Sequence, residues 1–222
     1  MMEYAEGAKR KSQIPEDALR LSEHLNSIGI RARAIDKEGP EAIDHRTAIV
    51  FNNPLRAGRF GVVKVEGRNI EYVELIKLLY SNPSHTRTNL PPIQYVYTFV
   101  YALRADFKGR EKDIECTSRP VIRSPSPHET YLAGIAWDGK ELARNLQGDA
   151  ELTRLMMQER FVDVHVEADG KDGYVAIVRE GIQGYEGSGL VQTAGRNDLP
   201  SAGAFEVLDR VAGHVRSMAS HR

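Results

Sequence analysis

The sequence predicts an α+β fold, with mixed or antiparallel-rich sheets and helices packed on one side. Three observations predict it. Short segments alternate apolar and polar residues with the period of a strand, most clearly in residues 161–168 and 174–179. Segments near both ends of the chain repeat apolar residues at helical spacing. Glycines and prolines that favour turns separate these segments at short intervals.

The first third of the chain contains a helix and at least three strands. A polar tail, 1–14, precedes Pro15, which is well suited to begin a helix, and Gly29 is suited to end it. Residues 30–34 alternate as a strand, and two more strands are expected at 47–51 and 59–66. Residues 70–80 space their apolar side chains as a helix does, and we predict a helix there, although their β-branched content also suits a strand.

A proline-rich polar segment divides the chain. Residues 81–92 read SNPSHTRTNLPP, which cannot continue a helix or a central strand. We therefore predict a linker at 83–92 between a small α/β module, 15–82, and a larger α+β module, 93–222.

The larger module begins with the most strand-like segment of the chain, 93–106, which is apolar or aromatic on both faces and is expected to be central in its sheet. Residues 113–122 are expected to return as its antiparallel partner, and a further strand is expected at 131–137. Residues 138–160 predict a helix in two pieces, capped by Asp138 and by Asp149. A hairpin at 161–179 and a last helix at 199–219 complete the module.

Composition limits the cellular setting. Thirty basic residues against 31 acidic ones leave a net charge of −1, which does not favour nucleic-acid binding. Cys116 is the only cysteine, so no intrachain disulfide can form, as is usual in the cytoplasm. The longest apolar stretch, 95–103, is far shorter than the roughly 20 residues that cross a membrane. A cytoplasmic protein without membrane contact is predicted.

The standard phosphate-loop, dinucleotide, metalloprotease and hydrolase motifs are absent from the sequence, so catalytic residues and cofactor are unknown. Arg119, Arg123 and His128 flank a proline-broken loop and are the candidate site for a small anion such as phosphate or carboxylate. They are also consistent with ordinary surface cations.

Two other groups of residues have chemical potential and simpler explanations. Asp163, His165 and Glu167 form a row on one strand face that could contribute metal ligands, but such a row is also the usual polar face of a hairpin strand. Cys116 could pair with His128 as nucleophile and base, although a lone thiol in a strand is usually buried and inert.

Two patterns resemble nucleotide or nucleic-acid sites only superficially. The glycines between 181 and 189 precede the last helix by too many residues to place a phosphate at its N-terminus, which favours a surface loop. The aromatic stripe at positions 95, 97, 99 and 101 lacks flanking cations and favours a buried face or a subunit interface.

Two functional hypotheses follow. The first is a non-catalytic cytosolic binding or regulatory protein that forms a homo-oligomer, which the aromatic strand could support. The alternative is an enzyme or small-anion-binding protein with a site between the modules at Arg119, Arg123 and His128. A convergent pocket would favour the second hypothesis, and an apolar patch related by a two-fold axis would favour the first.

Overall fold

A computed structural model describes residues 14–36, 57–81, 93–107, 109–126, 129–160, 163–169, 173–179 and 199–220. Five helices and eight strands lie in this part of the chain. The helices are α1 (Glu16–Ser27), α2 (Glu111–Ile114), α3 (Glu141–Gln147), α4 (Ala150–Gln158) and α5 (Ala202–Ser220). The strands are β1 (Ala32–Ile35), β2 (Ala57–Val65), β3 (Tyr72–Ser81), β4 (Ile93–Arg104), β5 (Cys116–Ser126), β6 (Glu129–Gly139), β7 (Val164–Asp169) and β8 (Tyr174–Arg179).

The eight strands form one sheet in the order β1-β2-β3-β4-β8-β7-β5-β6, and every neighbouring pair is antiparallel. This confirms the predicted α+β class and the central position of β4. Strands β3 and β4 flank the predicted linker and pair from Tyr72 with Ala102 to Ser81 with Ile93. The division into two modules stays a prediction.

The helices pack on one face of the sheet because the strands present large apolar side chains there. On this helix-covered face, α1 packs on β1 and β2, α3 and α4 pack on β6, and α2 packs beside β7. Its core includes Val73, Leu103, Ile177 and Trp137. No helix of the described residues is long and apolar enough to cross a membrane.

The last helix, α5, connects distant parts of the fold. Phe205 meets the ring of Tyr101 on β4 edge to face, with 6.1 Å between the ring centroids. The buried carboxylate of Asp209 accepts a hydrogen bond from the Ile70 backbone N–H at 2.9 Å. Arg216 donates to the Asn69 carbonyl oxygen at 3.0 and 2.9 Å. These polar contacts fix the β2–β3 turn against the helix.

Asp149 joins α4 to α5. Its Oδ1 accepts a hydrogen bond from the Leu152 N–H at 3.0 Å, which confirms the predicted cap of α4. The same carboxylate accepts two hydrogen bonds from the Arg210 guanidinium, at 2.7 and 2.9 Å, and lies 2.7 Å from His214 Nε2. Arg210 is the largest cause that holds the pKa of Asp149 well below its usual range.

The opposite face of the sheet is also buried over its central strands, at Val62, Tyr72, Val100 and Ala102. No described helix covers it. Tyr72 and Tyr174 meet edge to face there, and the Tyr174 hydroxyl accepts a hydrogen bond from Arg104 Nε at 2.9 Å.

Most remaining element predictions are confirmed. Helix α1 begins after Pro15 and is followed by Gly29, whose φ of 86° lies in the left-handed region that favours glycine. Strand β1, the hairpin β7–β8, the two-piece helix α3–α4 and α5 are present. The expected strand 47–51 and the glycine-rich segment 181–198 lie outside the described residues.

Three local predictions were wrong. Residues 72–81 form strand β3 rather than a helix, because β2 and β4 pair with the segment on both edges. Strand β5 does not pair with β4; it pairs with β6 and β7, and β8 takes the place beside β4. Lys140, not Asp138, is the N-cap of α3, and no side chain caps that helix.

The close approach of α1 to β2 predicts a steric effect at Gly61. A Cβ at this position would collide with the Cβ of Ala18, so Gly61→Ala should destabilise the protein by about 1–3 kcal/mol in urea unfolding. Ala18→Gly alone should cost about 1 kcal/mol, because it places a glycine inside a helix. The double variant should be clearly more stable than the sum of the two losses predicts; strict additivity would show that the collision is relieved in another way.

The Asp149 cluster predicts a pH-dependent stability. Asp149→Ala should lose about 2 kcal/mol of unfolding free energy at pH 7, and Asp149→Asn about half as much, because asparagine still caps the helix. The lowered folded-state pKa contributes its full stabilisation only where the unfolded carboxyl would also be ionised, and this contribution decreases as the pH falls toward the folded-state pKa. The advantage of the wild type over Asp149→Asn should therefore be complete above about pH 5 and shrink as the pH falls below about 4. A difference that stays constant from pH 7 to 3 would contradict this interpretation.

Candidate functional site

The most distinctive surface feature is a two-stranded extension of the sheet. Strands β5 and β6 pair from Cys116 with Gly139 to Ser126 with Glu129, but β5 pairs with β7 only at Cys116 and Thr117. The sheet therefore continues past β7 as a hairpin. We call residues 121–126 and 129–134 the hairpin arm.

The hairpin arm exposes apolar side chains. Four large hydrophobic residues are exposed in the described part of the chain, and three of them lie on the arm: Val121 at 36%, Ile122 at 55% and Tyr131 at 50%. The base of the hairpin differs, because Ile135 and Trp137 are buried under the helices. Since an isolated two-stranded hairpin is only marginally stable in water, a projecting one with apolar residues is typical of a contact surface.

The register distributes these side chains over both faces of the arm. Val121 lies opposite Gly134, and Arg123 lies opposite Tyr131, so that Val121, Arg123 and Tyr131 share one face. Ile122 lies opposite Leu132 on the other face. The pairing skips Ala133, which makes a bulge of the kind that bends and twists a hairpin. Apolar side chains are therefore available on both faces.

The predicted anion site falls partly on this hairpin. Arg119 and Arg123 lie four residues apart on β5, and both are exposed. Arg119 Nε donates to Asp138 Oδ2 at 2.6 Å, while Arg123 makes no hydrogen bond or ion pair with another residue that the structure describes. His128 lies outside the described residues. Anion binding by these three residues stays a prediction.

The carboxylate–histidine row lies beside the hairpin base. His165 Nδ1 lies 3.0 Å from Thr117 Oγ1, and its Nε2 lies 3.3 Å from Glu167 Oε2. Both ring nitrogens therefore have protein partners. Asp163 precedes β7 and is half-buried. Within the described ranges, no group of three or more histidine, cysteine or acidic residues is placed to hold a metal ion. Metal binding by Asp163, His165 and Glu167 stays a prediction.

Cys116 and two residues of the aromatic stripe, Phe99 and Tyr101, lie on the helix-covered face. Cys116 is 4% exposed, and burial raises the pKa of its thiol to about 12. A thiol in this state is a poor nucleophile. Tyr101 is buried against α5 and Phe99 packs on the same core, as expected of a buried strand face. The side chains of Tyr95 and Tyr97 lie outside the described residues.

Sequence reasoning missed the hairpin arm itself. The sequence of residues 124–127 predicts a break in the chain, and the segment before it, 113–122, is predicted to pair with β4. The signal was available: a short turn-forming segment between two stretches rich in β-branched and aromatic residues predicts a hairpin. The exposure of Ile122 and Tyr131 follows only from the position of the hairpin beyond β7.

Comparison of the chain with protein-family models, with curated proteins and with solved structures found no match.

The state of Cys116 leads to a labelling prediction. At pH 8 a thiol with a pKa of about 12 is ionised in only about one molecule in ten thousand, and burial further restricts access. An aromatic disulfide reagent should therefore label the native protein at least about a hundredfold more slowly than the protein unfolded in urea. Rapid stoichiometric labelling of the native protein would show that the thiol is accessible and ionisable.

Proposed function

We propose that this protein is a non-catalytic binding protein that forms a homodimer through the hairpin arm. The observation that carries the proposal is the projection of β5 and β6 beyond β7 with Val121, Ile122 and Tyr131 exposed. Each of these side chains is already partly buried, so complete burial would contribute about 1 kcal/mol per side chain. A two-fold dimer counts each contribution twice, since both copies present the same residues.

The charges of the arm favour a second copy of the same chain as the partner. Arg123 and Tyr131 share a face, and Glu129, two residues before Tyr131 on β6, falls on that face as well. Both charged residues are exposed. When two arms pack face to face about a two-fold axis, Arg123 of each copy can meet Glu129 of the other. The net charge of −1 per chain opposes self-association only weakly.

The arms are expected to meet through their faces rather than by strand pairing at the exposed edge of β5. Pro120 and Pro125 lie on β5 and have no backbone N–H to donate. Prolines in an edge strand obstruct the addition of another strand. The contact surface is therefore formed by side chains of the face that carries Arg123, chiefly Val121 and Tyr131, while Ile122 lies on the opposite face.

A reducing compartment such as the cytoplasm suits this proposal. The only cysteine is buried in the core, and the dimer needs no disulfide.

A small-anion-binding function at Arg119, Arg123 and His128 is the second candidate. Arg123 supports it, because its guanidinium is exposed and has no described partner. The ion pair between Arg119 and Asp138 weighs against it, because an anion would have to compete with that carboxylate. The apolar residues between the two arginines fit a protein surface better than an anion.

The proposed dimer can be tested with matched surface substitutions. Analytical ultracentrifugation of the wild-type protein at concentrations up to about 100 μM should show a monomer–dimer equilibrium with a measurable dissociation constant. The double variant Val121→Asp/Tyr131→Asp should be monomeric and should keep its far-ultraviolet circular dichroism. Leu19→Asp is the control: Leu19 is 44% exposed on α1, away from the hairpin arm, and its substitution should leave the dimer intact. A wild type that is monomeric over the whole range would refute the homodimer.

Charge reversal identifies the contacts within the dimer. Arg123→Glu and Glu129→Arg should each weaken self-association, because each places like charges across the two-fold axis. An equimolar mixture of the two variants should associate more strongly than either one alone, since both contacts in the heterodimer then join opposite charges. No gain on mixing would show that these residues do not meet across an interface.

A further inference from the structure

The helix layer contains a second surface feature, a polar cleft lined by residues of α3 and α5 and by Arg110, just before α2. Its volume is about 660 Å³, within the range of small-molecule sites. The lining residues with polar side chains are Arg110, Glu141, Arg144, Asn145, His214 and Ser217. They come from three segments far apart in the sequence, so the cleft exists only in the folded chain.

The charge balance of the cleft favours an anion. Arg110 is paired with Glu141 at 2.9 Å and with Asp113 at 3.1 Å. Arg144 lines the cleft and forms no hydrogen bond or ion pair through its side chain with any other described residue. Glu141 is the only acidic residue among those that line the cleft, and Arg110 already neutralises it. The guanidinium of Arg144 is therefore available for a ligand.

The acidic residue behind the cleft is also occupied. Asp149 binds Arg210 through both carboxylate oxygens and accepts a third bond from the Leu152 N–H. Its Oδ2 lies 2.7 Å from His214 Nε2. Because Asp149 is ionised and can only accept, Nε2 carries the hydrogen, and the other ring nitrogen, Nδ1, has no partner among the described residues. Asp149 thus orients His214 while Nδ1 keeps a free hydrogen-bonding position.

We propose that this cleft binds a small phosphate ester. The guanidinium group of Arg144 provides forked donors that match phosphate oxygens, and Nη1 of Arg110, which takes part in neither of its ion pairs, can add one donor. The cleft is much larger than a phosphate group, so the ligand has an organic part. The polar groups of Asn145, Ser217 and His214 offer hydrogen-bonding positions for hydroxyl groups on that part. This site is separate from the hairpin arm and does not depend on dimerisation.

The test uses ribose 5-phosphate as the probe, with ribose and inorganic phosphate as its two halves, measured by isothermal titration calorimetry. Wild-type protein should bind ribose 5-phosphate saturably, inorganic phosphate more weakly, and ribose not at all. Arg144→Ala should weaken binding of the ester at least tenfold. Arg154→Ala is the matched control: Arg154 is an exposed arginine on α4 that pairs with Glu151 and Gln158, and its loss should change affinity less than twofold.

Nuclear magnetic resonance locates the site independently of affinity. Addition of ribose 5-phosphate should shift the ring resonances of His214, while those of His24 and His165, outside the cleft, should not move. The proposal is overturned if wild-type protein binds neither phosphate saturably up to about 10 mM, a threshold above ordinary metabolite-binding affinities. It is equally overturned if Arg144→Ala binds the ester as tightly as the wild type, or if His165 shifts and His214 does not.

Discussion

The docking of α5 on the helix-covered face is the constraint on which much of this fold depends. Nine of its nineteen residues are buried, and they include the carboxylate of Asp209 as well as apolar side chains. A buried carboxylate is tolerated only when donors satisfy it, and here the Ile70 backbone N–H does so. The next residue, Arg210, and His214, about one turn further along, bind the Asp149 cap of α4. A single helix thus fixes the β2–β3 turn, the C-terminal half of β4 and the start of α4.

The one-sided placement of the helices explains why the hairpin arm is exposed. Helices α3 and α4 cover β6 near Ile135 and Trp137, and the strand continues beyond them. On its other side, the pairing of β5 with β7 ends at Thr117, and the last hydrogen bond between them runs from the Val164 N–H to Ser118 Oγ at 2.8 Å. Past these two limits, no described helix covers the exposed residues of the arm, and no described strand pairs with the outer edge of β5. The apolar character of Val121, Ile122 and Tyr131 then requires a partner or leaves them in water.

The sequence predicted those elements whose pattern is set locally. The hairpin β7–β8, the cap at Asp149 and helix α5 have signals within a few residues, and each was found. Strand β3 was missed because both of its faces are buried at Tyr72, Val73, Glu74 and Leu75, so its apolar residues do not alternate and a helical spacing fits by coincidence. The partner of β5 was missed because strand order is a property of the whole chain. The hairpin arm and the cleft depend on the same long-range arrangement, which no local pattern contains.

Strand β6 links the two proposed surfaces physically. Helix α3 has seven residues and no side-chain cap, so it would not be stable in isolation. Its last residue, Gln147, accepts a hydrogen bond from the Trp137 N–H at 3.0 Å and donates to the Ile135 carbonyl oxygen at 3.3 Å. These bonds attach α3, the helix that contains Glu141, Arg144 and Asn145, to the base of the hairpin. The position of Arg144 in the cleft is therefore set by the same strand that projects as the hairpin arm, and both surfaces are formed before any ligand or second copy binds.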